Sequence, residues 1–324
     1  MFYRSDWAEA GFPSPLQAGD GKGPSGQLLR KRRLSGAVFK WLIRETEFET
    51  GFYGFPVKEL VLEIRGIGSE EGAKVSGSSE WRKVILRETS RVMEDPSLKA
   101  GYVFSKVLRE EPLHDALIRC EFKEVEQRKL YGCRFRDLRQ SGDWKSSFEE
   151  LDFLTLEKLN ALDPGKAREQ ILGLCRSSFK NGYTRHFADS VLREKKPGLD
   201  YILALMELNF RNLSPGNILV AFDRERDAIC GFSILGRKPG SEEASYSQLL
   251  SAVSPEYRGR GVYRRLSSLA RDRFPPDALL LNVTHSDNLK IQRAYRDSGR
   301  RHIADTCVLR RVFSGQPQSD GEKE

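Results

Sequence analysis

The sequence predicts an α+β protein whose second half carries a mixed, mostly antiparallel sheet. Three observations predict it. Asn217–Asp223 and Ile229–Leu235 read as paired strands around a charged turn at Arg224–Asp227, the pattern of a hairpin. Two stretches with apolar residues at helical spacing precede them, Leu172, Cys175 and Phe179 in one and Leu199, Ile202, Leu203, Met206 and Phe210 in the other, each giving one buried face. Beyond the hairpin, the apolar runs Leu249–Val253 and Ala278–Val283 are each followed by a helical pattern. Helix, helix, three strands, helix, strand, helix and strand in that order give a sheet with helices on its faces.

Taken from the amino end, residues 1–37 carry Gly, Pro and Ser without periodicity and are expected to form a flexible leader. The short basic run Lys31-Arg32-Arg33 falls in it and is read as solvated tail. Residues 38–140 are expected to form a first domain. Ala100–Val107 alternates like a strand, Pro112–Cys120 reads as a short helix, and Phe122–Glu126 as another strand. Ser141-Gly-Asp-Trp-Lys-Ser-Ser147 interrupts the pattern, so a linker is placed at 141–160. Asp163-Pro164-Gly165 looks like a helix start with proline near the first turn. A second domain is expected over 161–313, and a frayed polar tail over 314–324.

The 324 residues are long enough for two domains, and 39% hydrophobic content with 10% aromatics supports packed cores. Lysines and arginines number 54 against 46 acids, a net charge of +8. The basic residues are scattered, and no basic strand interleaved with aromatics appears, so a nucleic-acid partner is not expected. A surface that attracts small polyanions explains the balance equally well. Cys120, Cys133, Cys175, Cys230 and Cys307 are odd in number, widely spaced and without metal-ligand pairing. They argue for reduced thiols, a cytoplasmic location and no metal. No apolar run approaches membrane-spanning length, so no membrane association is expected.

The most informative stretch is Val253-Ser-Pro-Glu-Tyr-Arg-Gly-Arg-Gly-Val-Tyr-Arg-Arg-Leu266. Pro255 closes a strand, Gly259 and Gly261 permit torsions and close approaches that a Cβ forbids, and Val262, Leu266 and Leu269 open a helix face. Such a turn leaves several N–H groups pointing one way at the positive end of a helix, a site suited to a diphosphate. Arg258, Arg260, Arg264 and Arg265 add positive charge around it. The same turn also serves as mere connection in many α/β proteins, and the residues alone leave both readings open. A Walker-type loop and a dinucleotide fingerprint are excluded, because neither the Gly-Lys-Ser/Thr ending nor a third glycine is present.

This segment resembles the acetyl-CoA motif Arg/Gln-x-x-Gly-x-Gly/Ala of the GCN5-related N-acetyltransferases, with Arg258 and Gly261 in register and Tyr263 departing from the small residue. The downstream order of strand, Asn288, helix, Tyr295 and Gly299 also fits, with Arg300 where the family has Phe. The resemblance implies the fold of that superfamily, acetyl-CoA as cosubstrate, and transfer of an acetyl group to a primary amine by direct attack. It assigns cofactor contacts to Leu250, Ala252, Val253, Arg258, Gly259, Arg260, Gly261, Val262, Tyr263, Arg264 and Asn288. It makes Tyr295 the general acid for the departing thiolate. On the helix pattern alone, Tyr295 reads as a core tyrosine.

A second resemblance covers more of the chain. Phe48-Glu-Thr-Gly-Phe-Tyr-Gly-Phe-Pro-Val57 is similar to the opening of bacterial TDP-fucosamine N-acetyltransferases, and Arg185, His186 and Asp189 match a later segment of those enzymes. It implies a degenerate amino-terminal copy of the fold that does not bind coenzyme A, and a nucleotide-linked amino sugar as acceptor. Arg185 could then meet a diphosphate by bidentate bonds, while His186 reads equally as base or packing residue. Glu242, Glu243 and His285 flank the cleft in sequence and read as base or as ordinary loop residues. The alternatives are an acyltransferase for another small amine and an inactive module that binds coenzyme A or a metabolite. A homodimer is left open.

Overall fold

The computed structural model describes residues 27–34, 37–65, 79–98, 101–109, 112–139, 150–160, 166–180, 182, 184–237 and 244–313. In chain order the strands are β1 (Gln27–Leu34), β2 (Ala37–Glu45), β3 (Val57–Arg65), β4 (Gly101–Leu108), β5 (Lys123–Arg134), β6 (Leu151–Thr155), β7 (Ile218–Asp223), β8 (Ala228–Arg237), β9 (Ser245–Val253), β10 (Leu279–His285) and β11 (Arg301–Phe313). The α-helices are α1 (Glu47–Tyr53), α2 (Ser79–Val92), α3 (Pro112–Arg119), α4 (Leu156–Asn160), α5 (Lys166–Ser178), α6 (Arg185–Ala188), α7 (Ser190–Lys195), α8 (Gly198–Asn212), α9 (Val262–Arg273) and α10 (Leu289–Asp297). The architecture is α+β with mixed, mostly antiparallel strand pairing, as the sequence predicts.

The chain forms two compact units: residues 1–127, 239–241 and 305–324 make the first, and 128–238 with 242–304 the second. This differs from the expected succession of 38–140 and 161–313. β5 begins in the first unit and continues in the second, and β11 does the reverse. Local patterning cannot show such an exchange, because strand partners far apart in sequence leave no periodic signal. The expected linker also differs: its last ten positions, 151–160, form β6 and α4, while 141–149 lie outside the described residues. β6 pairs antiparallel with β7, Leu151 opposite Asp223 and Thr155 opposite Leu219. Of the expected leader, 27–34 form β1, paired with β2, so Lys31-Arg32-Arg33 is strand. The remainder to residue 26, and the tail at 314–324, lie outside the described residues.

In the first unit the strand order is β1-β2-β3-β4-β11. All pairs are antiparallel except β3 and β4, which run parallel over Val57–Glu59 and Tyr102–Phe104. The aromatic segment 48–57 is the helix α1, stopped by Gly54 at φ 75°, where a Cβ is disfavoured, and turned into β3. Trp41, Leu60, Val103, Leu117 and Leu309 form the core. The Trp41 indole N–H donates to Thr89 Oγ1 at 3.1 Å, so its one polar atom is satisfied in the interior.

In the second unit the order is β5-β10-β9-β8-β7-β6, antiparallel except for β10 beside β9. Helix α9 packs Val262, Leu266 and Ala270 onto Phe135, Leu219, Leu235 and Leu280. Its spacing of apolar residues matches one helical face. Among the described residues no helix is long and apolar enough to cross a membrane.

Candidate active site

The site is built where β9 and β10 part. They pair from Leu279 with Ser245 as far as Asn282 with Gln248. Beyond that point β9 keeps β8 on one side as far as Val253, and β10 keeps β5 on the other as far as His285. A bulge helps to separate them: Leu250 lies opposite Ile234 and Gln248 opposite Leu235, so Leu249 is an extra residue on β9. Bulges bend a strand and re-aim its side chains. Leu249 is 42% exposed and Val283 47% exposed, an unusual state for aliphatic residues in a sheet. Past the parting point, β9 thus offers backbone that β10 does not cover, with two exposed aliphatic side chains next to it.

The glycine turn follows directly. Pro255–Tyr257 make a short 3₁₀ turn, Gly259 and Gly261 have φ of 78° and 90°, and α9 starts at Val262 with Gly261 as its cap residue. Residues 258–260 are exposed. A Cβ at Gly259 would meet nothing within 4 Å, so glycine is required there by torsion and not by crowding from the protein. The first N–H groups of α9 face this bend, and the twelve-residue helix places the positive end of its dipole there. Arg258 is exposed and its Nε donates to the Val253 carbonyl at 3.0 Å. Arg260 pairs with Glu150 at 2.7 Å and Arg264 with Asp297, while Arg265 lies over the Phe153 ring at 5.8 Å. Arg258 is thus the nearest of the four to an uncommitted cation for an anion at the bend.

Behind the parting point lies a buried polar network that the sequence did not announce. The Tyr263 hydroxyl donates to Gln248 Oε1 at 2.7 Å, and Asn282 Nδ2 donates to the same oxygen. Arg300, 4% exposed, gives its Nε to Asn282 Oδ1 at 2.9 Å, one terminal nitrogen to Ser298 Oγ and the other to Ser267 Oγ at 3.3 Å. Its guanidinium lies over the rings of Tyr295 at 5.3 Å and Tyr263 at 5.7 Å. These partners are all neutral, so a cation is held in the interior by dipoles and ring faces. The position left by the expected Phe is taken by a charge.

Tyr295 belongs to this network. It is 4% exposed, with its ring edge-on to Tyr131 at 5.4 Å and near Tyr263 at 6.0 Å. Burial pushes its pKa well above the ordinary tyrosine range, against the pull of Arg300. Asn282 and Tyr263 both act on its hydroxyl, the first lowering and the second raising its pKa. Burial raises the Tyr263 pKa as well. Tyr263 is the more exposed of the two, and its side chain is turned from the glycine bend to Gln248. The departure from a small residue at 263 therefore leaves the bend itself open.

The other residues singled out from sequence are placed as follows. Leu250, Ala252 and Val253 line the uncovered stretch of β9. Asn288 caps α10, its side chain accepting from the Ile291 N–H at 3.4 Å. His285 ends β10, and its Nδ1 accepts from the Asp287 N–H at 3.1 Å. Arg185 and His186 are 1% and 5% exposed. His186 stacks on Tyr201 with centroids 3.5 Å apart, and Asp189 caps α7 through the Val191 N–H. Glu242 and Glu243 lie outside the described residues.

No family model matches the chain, and no curated protein matches it. Solved structures do. A GCN5-related N-acetyltransferase from Sphaerobacter thermophilus aligns over 86% of this chain and 77% of its own, at 13% identity and a TM-score of 0.47. A tandem protein of the same superfamily from the clavulanic acid biosynthesis pathway aligns over 88% and 82%, at 8% identity and a TM-score of 0.47. A GCN5-related N-acetyltransferase from Kribbella flavida aligns over 90% and 91%, at 12% identity and a TM-score of 0.43. At these identities and TM-scores none of the likenesses assigns an activity to the chain.

Proposed function

We propose that the chain is an acyltransferase of the GCN5-related kind, taking an acetyl group from acetyl-CoA to a primary amine. One observation carries this reading: a parallel strand pair that parts after Gln248 and Asn282, beside an exposed left-handed glycine bend at a helix N-terminus. Backbone N–H groups at Gly261 and the first turn of α9, with Arg258, suit the diphosphate of coenzyme A. Leu249 and Val283 suit the apolar flank of its arm, and uncovered N–H groups of β9 suit the thioester oxygen as charge develops there. The neutral amine attacks the thioester carbon, the carbon–sulfur bond breaks, the nitrogen gives up one proton to water, and the thiolate leaves with a proton to be supplied. Much of the acceleration would come from holding the two reactants together.

Tyr295 is the proton donor in this reading, kept protonated at neutral pH by burial, with its ring beside Tyr263, which bonds to Gln248 at the parting point. Arg300 would stabilise the phenolate that the transfer leaves behind. An amino sugar carried on a nucleotide is the acceptor class we favour, on the similarity of the 48–57 and 185–189 segments. The burial of Tyr295 favours one second reading, a module that binds coenzyme A without turnover. Acetyl-CoA in excess is expected to raise the melting temperature by mass action, and absence of any shift would overturn both readings. Release of free thiol with a panel of nucleotide amino sugars, amino acids and polyamines separates enzyme from binding module.

A further inference from the structure

We propose that the first unit holds a zinc-type metal ion between His114 on α3, Glu124 on β5 and Cys307 on β11. The five cysteines show no ligand spacing in sequence, and no metal is expected from it; the fold brings one of them to two other ligand types. One ligand atom from each residue lies within 4.8 Å of the other two. His114 Nε2 and Glu124 Oε2 are 3.8 Å apart. Ligand atoms about 2.0–2.3 Å from a tetrahedral zinc stand ~3.3–3.8 Å from one another, so small side-chain rotations close the trio on one centre.

Three further observations aim these atoms at an ion. His114 Nε2 is buried and has no hydrogen-bond partner among the described residues, which is costly for a ring nitrogen unless something is bound. The opposite nitrogen, Nδ1, lies 3.5 Å from Asp115 Oδ1. This is the carboxylate–histidine pairing that fixes the tautomer of a metal-bound imidazole. Glu124 Oε1 accepts from Gln127 Nε2 at 2.6 Å, which orients the carboxylate and leaves Oε2 towards His114. Arg109 Nε stands 3.6 Å from that oxygen, beyond hydrogen-bond length.

The donor set selects the metal. A thiolate and an imidazole suit zinc and disfavour calcium or magnesium, which take oxygen ligands. Cys307 is wholly buried, and His114 and Glu124 are 19% and 23% exposed, with the His114 Nε2 itself buried. The three ligands stand on a helix and two strands. The ion would brace α3 against the strands of its own unit, and its binding energy would add to folding stability.

The test uses the full chain, stripped of metal by chelator under reducing conditions and titrated with cobalt(II). One equivalent is expected to give a thiolate-to-cobalt charge-transfer band with the visible bands of a four-coordinate ion, lost on adding zinc. His114→Gln and Cys307→Ser should each weaken binding at least tenfold, and Asp115→Asn by about tenfold. Should Cys307→Ser fail to fold by circular dichroism, His114→Gln, at a partly exposed position, decides the matter. Cobalt bound without the charge-transfer band, or equal affinity in His114→Gln and the parent, would overturn the proposal.

Discussion

Two parallel strand pairs described above, β3 with β4 and β9 with β10, part in different ways. β3 and β4 pair over three positions, ending at Glu59 and Phe104, much as β9 and β10 end at Gln248 and Asn282. At the next position of the first pair, Ser105 Oγ donates to the Leu60 carbonyl at 2.8 Å. Leu60, Leu62, Val103 and Val107 there are core residues. At the next position of the second pair stand Leu249 and Val283, both exposed. The first parting is filled by side chains of its own unit, and the second is left for something else. A strand pair becomes a binding cleft only when the residues just past the last ladder bond do not close it.

The largest effect is expected at the glycine bend. Gly261→Val forces a β-branched residue to φ 90°, at a strain of order 1–3 kcal/mol, and puts a side chain where the diphosphate is placed. Acetyl-CoA affinity by calorimetry is expected to fall about 100-fold or more; an unchanged affinity would remove the bend from the site. Tyr295→Phe is expected to lower turnover by roughly 100-fold while leaving the acetyl-CoA dissociation constant within about threefold. Equal losses in both would make the tyrosine a packing residue.

A third outcome concerns pH. The Tyr257 hydroxyl, with the N–H groups of Arg226 and Glu225 and the charge of Arg226, holds the Asp223 carboxyl below the ordinary carboxylate range, against the effect of burial. The native state then binds fewer protons than the unfolded chain, so stability rises with pH across that interval. The contribution is complete above about pH 4, the unfolded value, and fades as pH falls through the lower native value. Asp223→Asn should flatten the acid limb of melting temperature against pH; an unaltered limb would show that other carboxylates control it. The smallest effect is expected at the closed parting, where Ser105→Ala removes one buried hydrogen bond. It should cost about 1 kcal/mol in denaturant unfolding and leave acetyl-CoA affinity untouched.

What was legible in the sequence was local. The strand, turn and helix at 245–273 lie where apolar spacing and glycine place them, and the hairpin at 218–237 and helix at 198–212 follow from periodicity alone. Charge hid the rest. Arg185 reads in sequence as a ligand for a diphosphate and Arg300 as a lost apolar anchor, yet both are interior, where guanidinium groups are seldom found. Asn282 was read as part of the apolar run Ala278–Val283, so the network behind the parting point left no sign in the spacing. β6 was missed because five residues after a Ser- and Gly-rich run give too short an alternation. The grouping of His114, Glu124 and Cys307 depends on a contact across nearly two hundred residues, which spacing rules cannot see.

The passage of β11 into the first unit has a consequence for synthesis. That unit needs residues 306–313 to cover β4, and these are synthesised after the whole of the second unit. Throughout translation the flank of β4 therefore waits, with its ladder groups and Val107 uncovered, until the whole second unit has emerged. A cut near residue 140 would leave each fragment short of a strand, so this protein should express as an entire chain or as two co-produced fragments that recombine.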